Sequence, residues 1–248
     1  MSGHSKWATI KHKKGVVDAK RGKLFTKLIK ELTVAARMGG GEPAHNPRLR
    51  KAIADAKGQS MPGDTIKNAI KRGTGEIEGV SYEEVLYEGT GPAGTLFLVE
   101  ATTDNRNRTV AEIRKVFEKH HGNLGGAGAA AWAFDRRGLI TIEKPAATED
   151  RLMDVAVGAG AEDYADDGEV WTVTTPSDEL QIVLDALEAA KIAVKASQVG
   201  FVPKNKKSVS GRDAEVCIDL ADVLDDHDDV QNVYADFDVS DEDLAKLA

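Results

Sequence analysis

The chain has 248 residues, of which 41% are hydrophobic and 30% charged, and it carries a single cysteine. That length allows one large domain or two to three small ones with their own cores. Cys217 leaves no internal disulfide, no run approaches the ~18 apolar residues of a membrane span, and no apolar segment follows the polar start Met1 to Trp7, so a cytoplasmic protein without a secretory leader or a membrane partner is expected. The net charge of −8 hides a partition: residues 1–80 hold 17 Lys/Arg against 7 Asp/Glu, whereas the remainder holds 16 against 34. A +10 segment joined to a −18 segment points to an anionic partner for the first.

Basic residues crowd the start of the chain: Lys6, Lys11, Lys13, Lys14, Lys20, Arg21, Lys23, Lys27 and Lys30, opposed only by Asp18. From Lys20 the pattern becomes helical, with Leu24, Leu28 and Leu32 at i, i+4, i+8 beside Phe25, Ile29 and Ala36. Lys23, Lys27 and Lys30 fall off that stripe and are expected to stay solvated, and Gly39-Gly40-Gly41 ends the helix. Asn46-Pro47 predicts the cap and first turn of a second helix, with Leu49, Ala52, Ile53 and Ala56 on its buried face. A third helix is predicted to begin at Pro62, bury Ile66, Ala69 and Ile70, and stop at Gly73, before a linker to Ser81.

Two strands around Leu86 and Phe97 flank a Gly/Pro turn. Asp104-Asn105-Arg106-Asn107-Arg108-Thr109 then leads into a helix carrying Val110, Ile113, Val116 and Phe117, followed by a Gly-rich turn and a strand from Ala130 to Phe134. Residues 138–202 give the clearest pattern: strand Leu139–Ile142, a helix capped by Thr148, a hairpin turning at Asp167-Gly168, a helix capped by Ser177, and a strand from Val194 to Val202. That order is βαββαβ, the ferredoxin-like split pattern. A basic loop (Pro203 to Gly211), a helix (Asp213 to Leu224) and a strand (Val230 to Phe237) complete the chain. The fold class is α+β: a small helical domain plus two α+β, ferredoxin-like domains, one inserted in the other. The expected boundaries are 1–80 for the basic arm and helical domain, 82–135 with 206–240 for a discontinuous domain, and 136–205 for the inserted βαββαβ domain.

Lysines running through residues 6–14, ahead of any amphipathic helix, favour nucleic-acid binding over a solvated face, and Trp7 among them is a stacking platform for bases. The expected contacts are Lys6, Lys11, Lys13, Lys14, Lys20, Arg21, Lys23 and Lys27 to phosphates, Trp7 by stacking, and His12 adding charge at mildly acidic pH. Arg106 and Arg108 at a helix N-terminus make a second phosphate-contacting point, with pairing to the acidic surplus an equal alternative. Asn107 or Thr109 is the expected cap of that helix. Gly122 to Gly128 resembles a phosphate cradle but lacks a trailing Gly-Lys-Ser/Thr and precedes a strand, so a structural turn is expected. His120 and His121 lack partners at metal-ligand spacing, Cys217 sits among apolar and acidic neighbours, and no Gly-x-Ser-x-Gly or His-Glu-x-x-His occurs. No catalytic or metal site, no cofactor and no enzymatic activity are therefore expected. Residues 213–243 carry 13 acidic residues and no Lys/Arg, densest at Asp225 to Asp229, and read as a solvated acidic surface.

Several segments together resemble the YebC/PmpR family: Gly3-His4-Ser5-Lys6-Trp7, Lys11-His12-Lys13, Asp18 to Lys27, Gly39-Gly40-Gly41, Asn46-Pro47-Arg48-Leu49, Met61-Pro62-Gly63-Asp64, Tyr87-Glu88-Gly89, Asp104 to Thr109, Gly122-Asn123-Leu124-Gly125 and Asp228 to Tyr234. Gly128-Ala129-Ala130 departs from the Gly-Ser-Val usual in relatives. The resemblance implies a helical domain plus two α+β domains, and a regulator of gene expression. It is DNA-binding and transcriptional in the leading reading. The alternative is a ribosome-associated factor that binds ribosomal RNA and relieves stalling at proline stretches. A monomer is expected.

Overall fold

A computed structural model of the chain describes residues 18–240 and 242–243. Three helices open it: α1 (Asp18–Gly39), α2 (Pro47–Gly58) and α3 (Gly63–Thr74). Leu32, Ala35 and Ala36 of α1 meet Leu49, Ala52 and Ala56 of α2 and Ile66 and Ala69 of α3 in one apolar cluster. Asn46 caps α2 as its sequence position suggests, accepting from the Leu49 N–H at 3.0 Å. Gly73 does not stop α3. The helix runs through it to Thr74 and ends on Gly75, which is left-handed at φ 81°. Gly73 is instead a notch: a Cβ there would lie 2.3 Å from the Thr33 carbonyl and 2.7 Å from Ala36 Cβ, so its bare backbone lets α3 lie against α1.

The first sheet takes β1 (Glu83–Thr90), β2 (Leu96–Thr103), β3 (Asn123–Leu124) and β9 (Val230–Ala235) in the order β3-β1-β2-β9, all pairs antiparallel. Helices α4 (Arg106–Lys119) and α7 (Gly211–Asp225) share its apolar face, where Phe97, Ile113, Phe117, Cys217, Leu220 and Val233 form the core. The second sheet takes β4 (Phe134–Glu143), β5 (Asp163–Asp166), β6 (Val170–Pro176) and β7 (Ala196–Pro203) in the order β5-β6-β4-β7, again antiparallel. Helix α5 (Glu149–Leu152, continued as one π-turn to Val157) and helix α6 (Leu180–Ala189) complete the βαββαβ order over Ile140, Ile142, Trp171 and Val173. Thr148 caps α5, accepting from Arg151.

Four local expectations are corrected. Residues Ala131–Ala133 form a 3₁₀ turn, and the strand expected from Ala130 begins at Phe134 and continues unbroken through Leu139 to Glu143. Glu179, without a side-chain cap bond, precedes α6 in place of Ser177. The basic loop after Pro203 contains a short strand, β8 (Lys207–Val209), paired in parallel with β10 (Phe237–Val239). Asp236 separates β9 from β10 and accepts the Leu96 N–H at 2.7 Å. The two sheets meet where Phe201 of β7 packs edge-on against Tyr234 of β9, ring centroids 5.4 Å apart. Gly200 is required there, since a Cβ would come within 2.9 Å of the Tyr234 ring.

Candidate nucleic-acid interface

Lys6, Trp7, Lys11, His12, Lys13 and Lys14 lie outside the described residues. For Lys20 and Arg21 the description is of helical backbone at the start of α1. The next lysines are not solvated as expected. Lys23 Nζ reaches Asp226 Oδ2 at 2.7 Å, and Lys27 Nζ donates to the Asp225 carbonyl at 2.5 Å with its carboxylate 3.8 Å away. Lys30 Nζ lies 2.5 Å from Asp229 Oδ1 and donates to the Asp228 carbonyl at 2.9 Å. Spacings of four and three residues put these ammonium groups on one face of α1, and that face lies on the acidic turn after α7. The Asp225–Asp229 run is therefore no simple solvated surface. It seats α1, with exposure falling from 41% at the Lys23 side chain to 7% at Lys30.

Asp229 is the node. Its Oδ2 accepts from Thr109 Oγ1 at 2.6 Å and from Arg108 Nη2 at 2.8 Å, while Oδ1 faces Lys30. Burial pushes this carboxyl up, but donation from Lys30, Thr109 and Arg108 outweighs it and holds the group well below the usual carboxylate range. Arg108 also pairs with Asp104 at 2.8 Å, so the intramolecular alternative holds for this arginine. The cap of α4 is Asn105, which accepts from the Arg108 N–H at 3.1 Å, in place of Asn107 or Thr109. Thr109 is buried because its hydroxyl serves Asp229. Arg106 is exposed and, among the described residues, forms no ion pair.

Beside this seam a cleft of about 760 Å³ opens between α1 and α4, lined among others by Thr26, Lys115, Lys119, His227 and Asp228. Glu112, His227 and Asp229 bring ligand-type atoms within 4.8 Å of one another at its edge. They make a hydrogen-bonded set instead of a cation site. His227 Nδ1 accepts the Asp229 N–H at 3.1 Å, so the ring proton sits on Nε2, which points at Glu112 Oε2 at 3.1 Å. Asp229 is already neutralised by Lys30 and Arg108.

The Gly-rich turn is a cradle filled by the protein itself. Glu88, on β1, accepts from the amides of Gly128 (2.8 Å), Ala130 and Ala131 (both 2.7 Å). Burial pushes this carboxyl up and the three amides more than reverse it, leaving it below its ordinary range. Gly128 adopts φ 86°, which the turn needs. The outward face of α3 adds a basic pair beyond the residues expected from the sequence. Lys67 and Lys71 are exposed there, and their i, i+4 spacing away from Ile66 and Ala69 is the signal that could have found them.

Together these features define an α+β protein in which a three-helix unit is pinned by ion pairs to a pair of antiparallel sheets. The TACO1/YebC protein N-terminal domain family matches residues 5–76, and the family of TACO1/YebC second and third domains matches residues 82–237. The chain belongs to the TACO1/YebC family. A probable transcriptional regulatory protein of Geobacter sulfurreducens is 53% identical over the whole of both chains. One from Desulforapulum autotrophicum is 54% identical over 98% of each. A conserved hypothetical protein of Aquifex aeolicus, known from a crystal structure, superposes with a TM-score of 0.86 at 44% identity, over 91% of this chain and 93% of that one.

Proposed function

We propose that this chain is a non-enzymatic regulator of gene expression that binds nucleic acid through its basic N-terminal segment, as a DNA-binding transcriptional regulator. The carrying observation is the charge partition, +10 over residues 1–80 against −18 over the rest. The name of its relatives, probable transcriptional regulatory protein, supports the regulatory reading. In this proposal Lys6, Lys11, Lys13, Lys14, Lys20 and Arg21 contact phosphates, Trp7 stacks, His12 adds charge at mildly acidic pH, and Arg106 gives a second point of contact. Lys23 and Lys27, committed to Asp226 and Asp225, hold α1 against the acidic turn and are left out of the phosphate-contacting set. The same acidic surface repels a polyanion and confines binding to the basic end. The units proposed are 1–80, 82–135 with 206–240, and 136–205. The pairing of β2 with β9 supports the discontinuous unit, and β4 crosses from it into the inserted one.

The ribosomal reading has one observation of its own. α2 and α3 are only 12 residues each, and each commits one face to the three-helix core, which favours recognition of backbone and shape over base edges. Charge reversal at Lys11, Lys13 and Lys14 tests the site. Affinity should fall for all sequences alike, and the salt dependence should flatten by about 0.7–0.9 log units per log unit of salt for each phosphate no longer neutralised. Unchanged affinity and slope would refute it. Crosslinking in cells, with DNA and RNA recovered separately, decides between promoters and ribosomal RNA.

A further inference from the structure

Trp132 is 67% exposed, and no other Phe, Tyr or Trp side chain among the described residues is exposed. It stands on the 3₁₀ turn between the Glu88-filled cradle and β4. Its indole Nε1–H donates to the Ala129 carbonyl at 3.3 Å, which ties the edge of the ring to the backbone. The surrounding residues are Gly126, Ala127, Gly128, Ala129, Ala131 and Ala133, so no bulky neighbour on the turn obstructs the ring. The turn is itself held by three amides on one buried carboxylate, so presenting the ring to a ligand costs little ordering.

Cations stand at the turn and on the strand that follows it. Lys204 Nζ donates to the Trp132 carbonyl at 2.8 Å, and the Lys204 N–H donates to the Ala133 carbonyl at 2.8 Å, which ties Lys204 to the turn. Arg136, on the same strand two residues beyond Phe134, is exposed and forms no ion pair among the described residues. Acidic neighbours are present but engaged: Asp135 lies 3.7 Å from Lys204 and 3.6 Å from Arg137, and Asp238 lies 3.6 Å from Lys206. A flat ring among small residues, bordered by Lys and Arg, suits an unpaired base whose phosphates run along the cations. An apolar protein partner would find little here beyond the ring itself.

We propose that Trp132 is a stacking platform for an unpaired base of single-stranded nucleic acid, with Arg136 and Lys204 bordering the path of its backbone. This inference rests on the nucleic-acid reading above and adds, beside the Glu88-filled cradle, a further point of attachment to those proposed there.

The test compares the full-length chain with Trp132→Ala, Trp132→Leu and Trp132→Phe, titrated by anisotropy with a 12-nucleotide oligoadenylate RNA and with a 12-base-pair duplex. Stacking predicts that Trp132→Ala and Trp132→Leu bind the single strand about tenfold or more weakly, that Trp132→Phe retains most of the affinity, and that duplex binding shifts less than about twofold. The salt slope should stay unchanged, because every cation that faces a phosphate is kept. Thermal melts of the variants should match the parent, since the ring is exposed. Equal single-strand affinity in Trp132→Ala overturns the proposal, as does a loss shared equally by the duplex. So does a change in sedimentation on substitution, which would put a second copy of the chain on the ring. The charge-reversed Lys11/Lys13/Lys14 variant separates the two readings. If it weakens binding while Trp132→Ala does not, the platform fails and the basic arm stands. If the parent binds neither probe, both fail.

Discussion

Breaking the Lys30–Asp229 pair should loosen the helical unit from the sheets far more than breaking the exposed Lys23–Asp226 pair. Both side chains are almost fully covered, at 7% and 5% exposure. Removing one partner of a buried pair costs about 3–5 kcal/mol, because the other is left uncompensated. Lys30→Met leaves Asp229 with Arg108 and Thr109 and belongs at the lower end of that range. Asp229→Asn leaves the buried Lys30 without its carboxylate and takes one of two close partners from Arg108, which keeps Asp104, and belongs at the upper end. The double variant Lys30→Met/Asp229→Asn should cost less than the sum of the singles by about 1.5 kcal/mol or more. Urea unfolding followed by circular dichroism gives the energies, and hydrogen exchange along α1 locates them. The loss should persist in 1 M salt, where the Debye length is about 3 Å but a covered pair is barely screened. Lys23→Met, whose pair is 41% and 52% exposed, should stay within about 1 kcal/mol. Single-variant costs below about 1 kcal/mol that simply add would refute the reasoning. The pH dependence has a definite sign. Because the folded carboxyl of Asp229 titrates below its unfolded value of about 3.9, its contribution is complete above that pH and is lost as pH falls toward the folded value. Asp229→Asn should remove that part of the acid slope.

Three further outcomes follow from other parts of the molecule. Glu88→Gln keeps the shape of the cradle but loses the charge, and should cost about 1–3 kcal/mol at neutral pH and progressively less as acid protonates the parent, read from thermal melts between pH 7 and pH 3. Gly73→Ala should cost about 1–3 kcal/mol by forcing α3 off α1, and circular dichroism melts would show it. An unchanged melting temperature would mean that the helices part freely. Cys217 is fully buried and its thiol is pushed up by burial, so a thiol reagent should label it only as fast as the chain unfolds.

Local signals carried much of the architecture. The Leu28 and Leu32 part of the α1 stripe, the Asn46 and Thr148 caps and the βαββαβ order of residues 138–202 each depend largely on local neighbours, and each has its counterpart in the structure. The errors came where a distant partner decides. Gly73 carries the composition of a stop, but a backbone carbonyl 40 residues earlier makes it a notch. The Gly-rich turn showed its shape but not its occupant, because Glu88 is contributed from another strand. The lysines of α1 and the acidic run after α7 read as two opposite surfaces, and at a separation of 199 residues nothing local marks them as one seam. Trp132 showed no periodic pattern, since a 3₁₀ turn of three residues leaves none.

The first sheet also sets a timetable for synthesis. β2 pairs with β9, and Thr103 is made about 130 residues before Ala235. At roughly 5–20 residues per second, the second sheet is complete while that edge of β2 still waits, for roughly 6–26 seconds, for its neighbour. Lys30 waits longer for Asp229, 199 residues on, roughly 10–40 seconds at the same rate. Throughout that interval the growing chain shows an open strand edge and an unmatched row of positive charge, and one short stretch, residues 225–235, closes both.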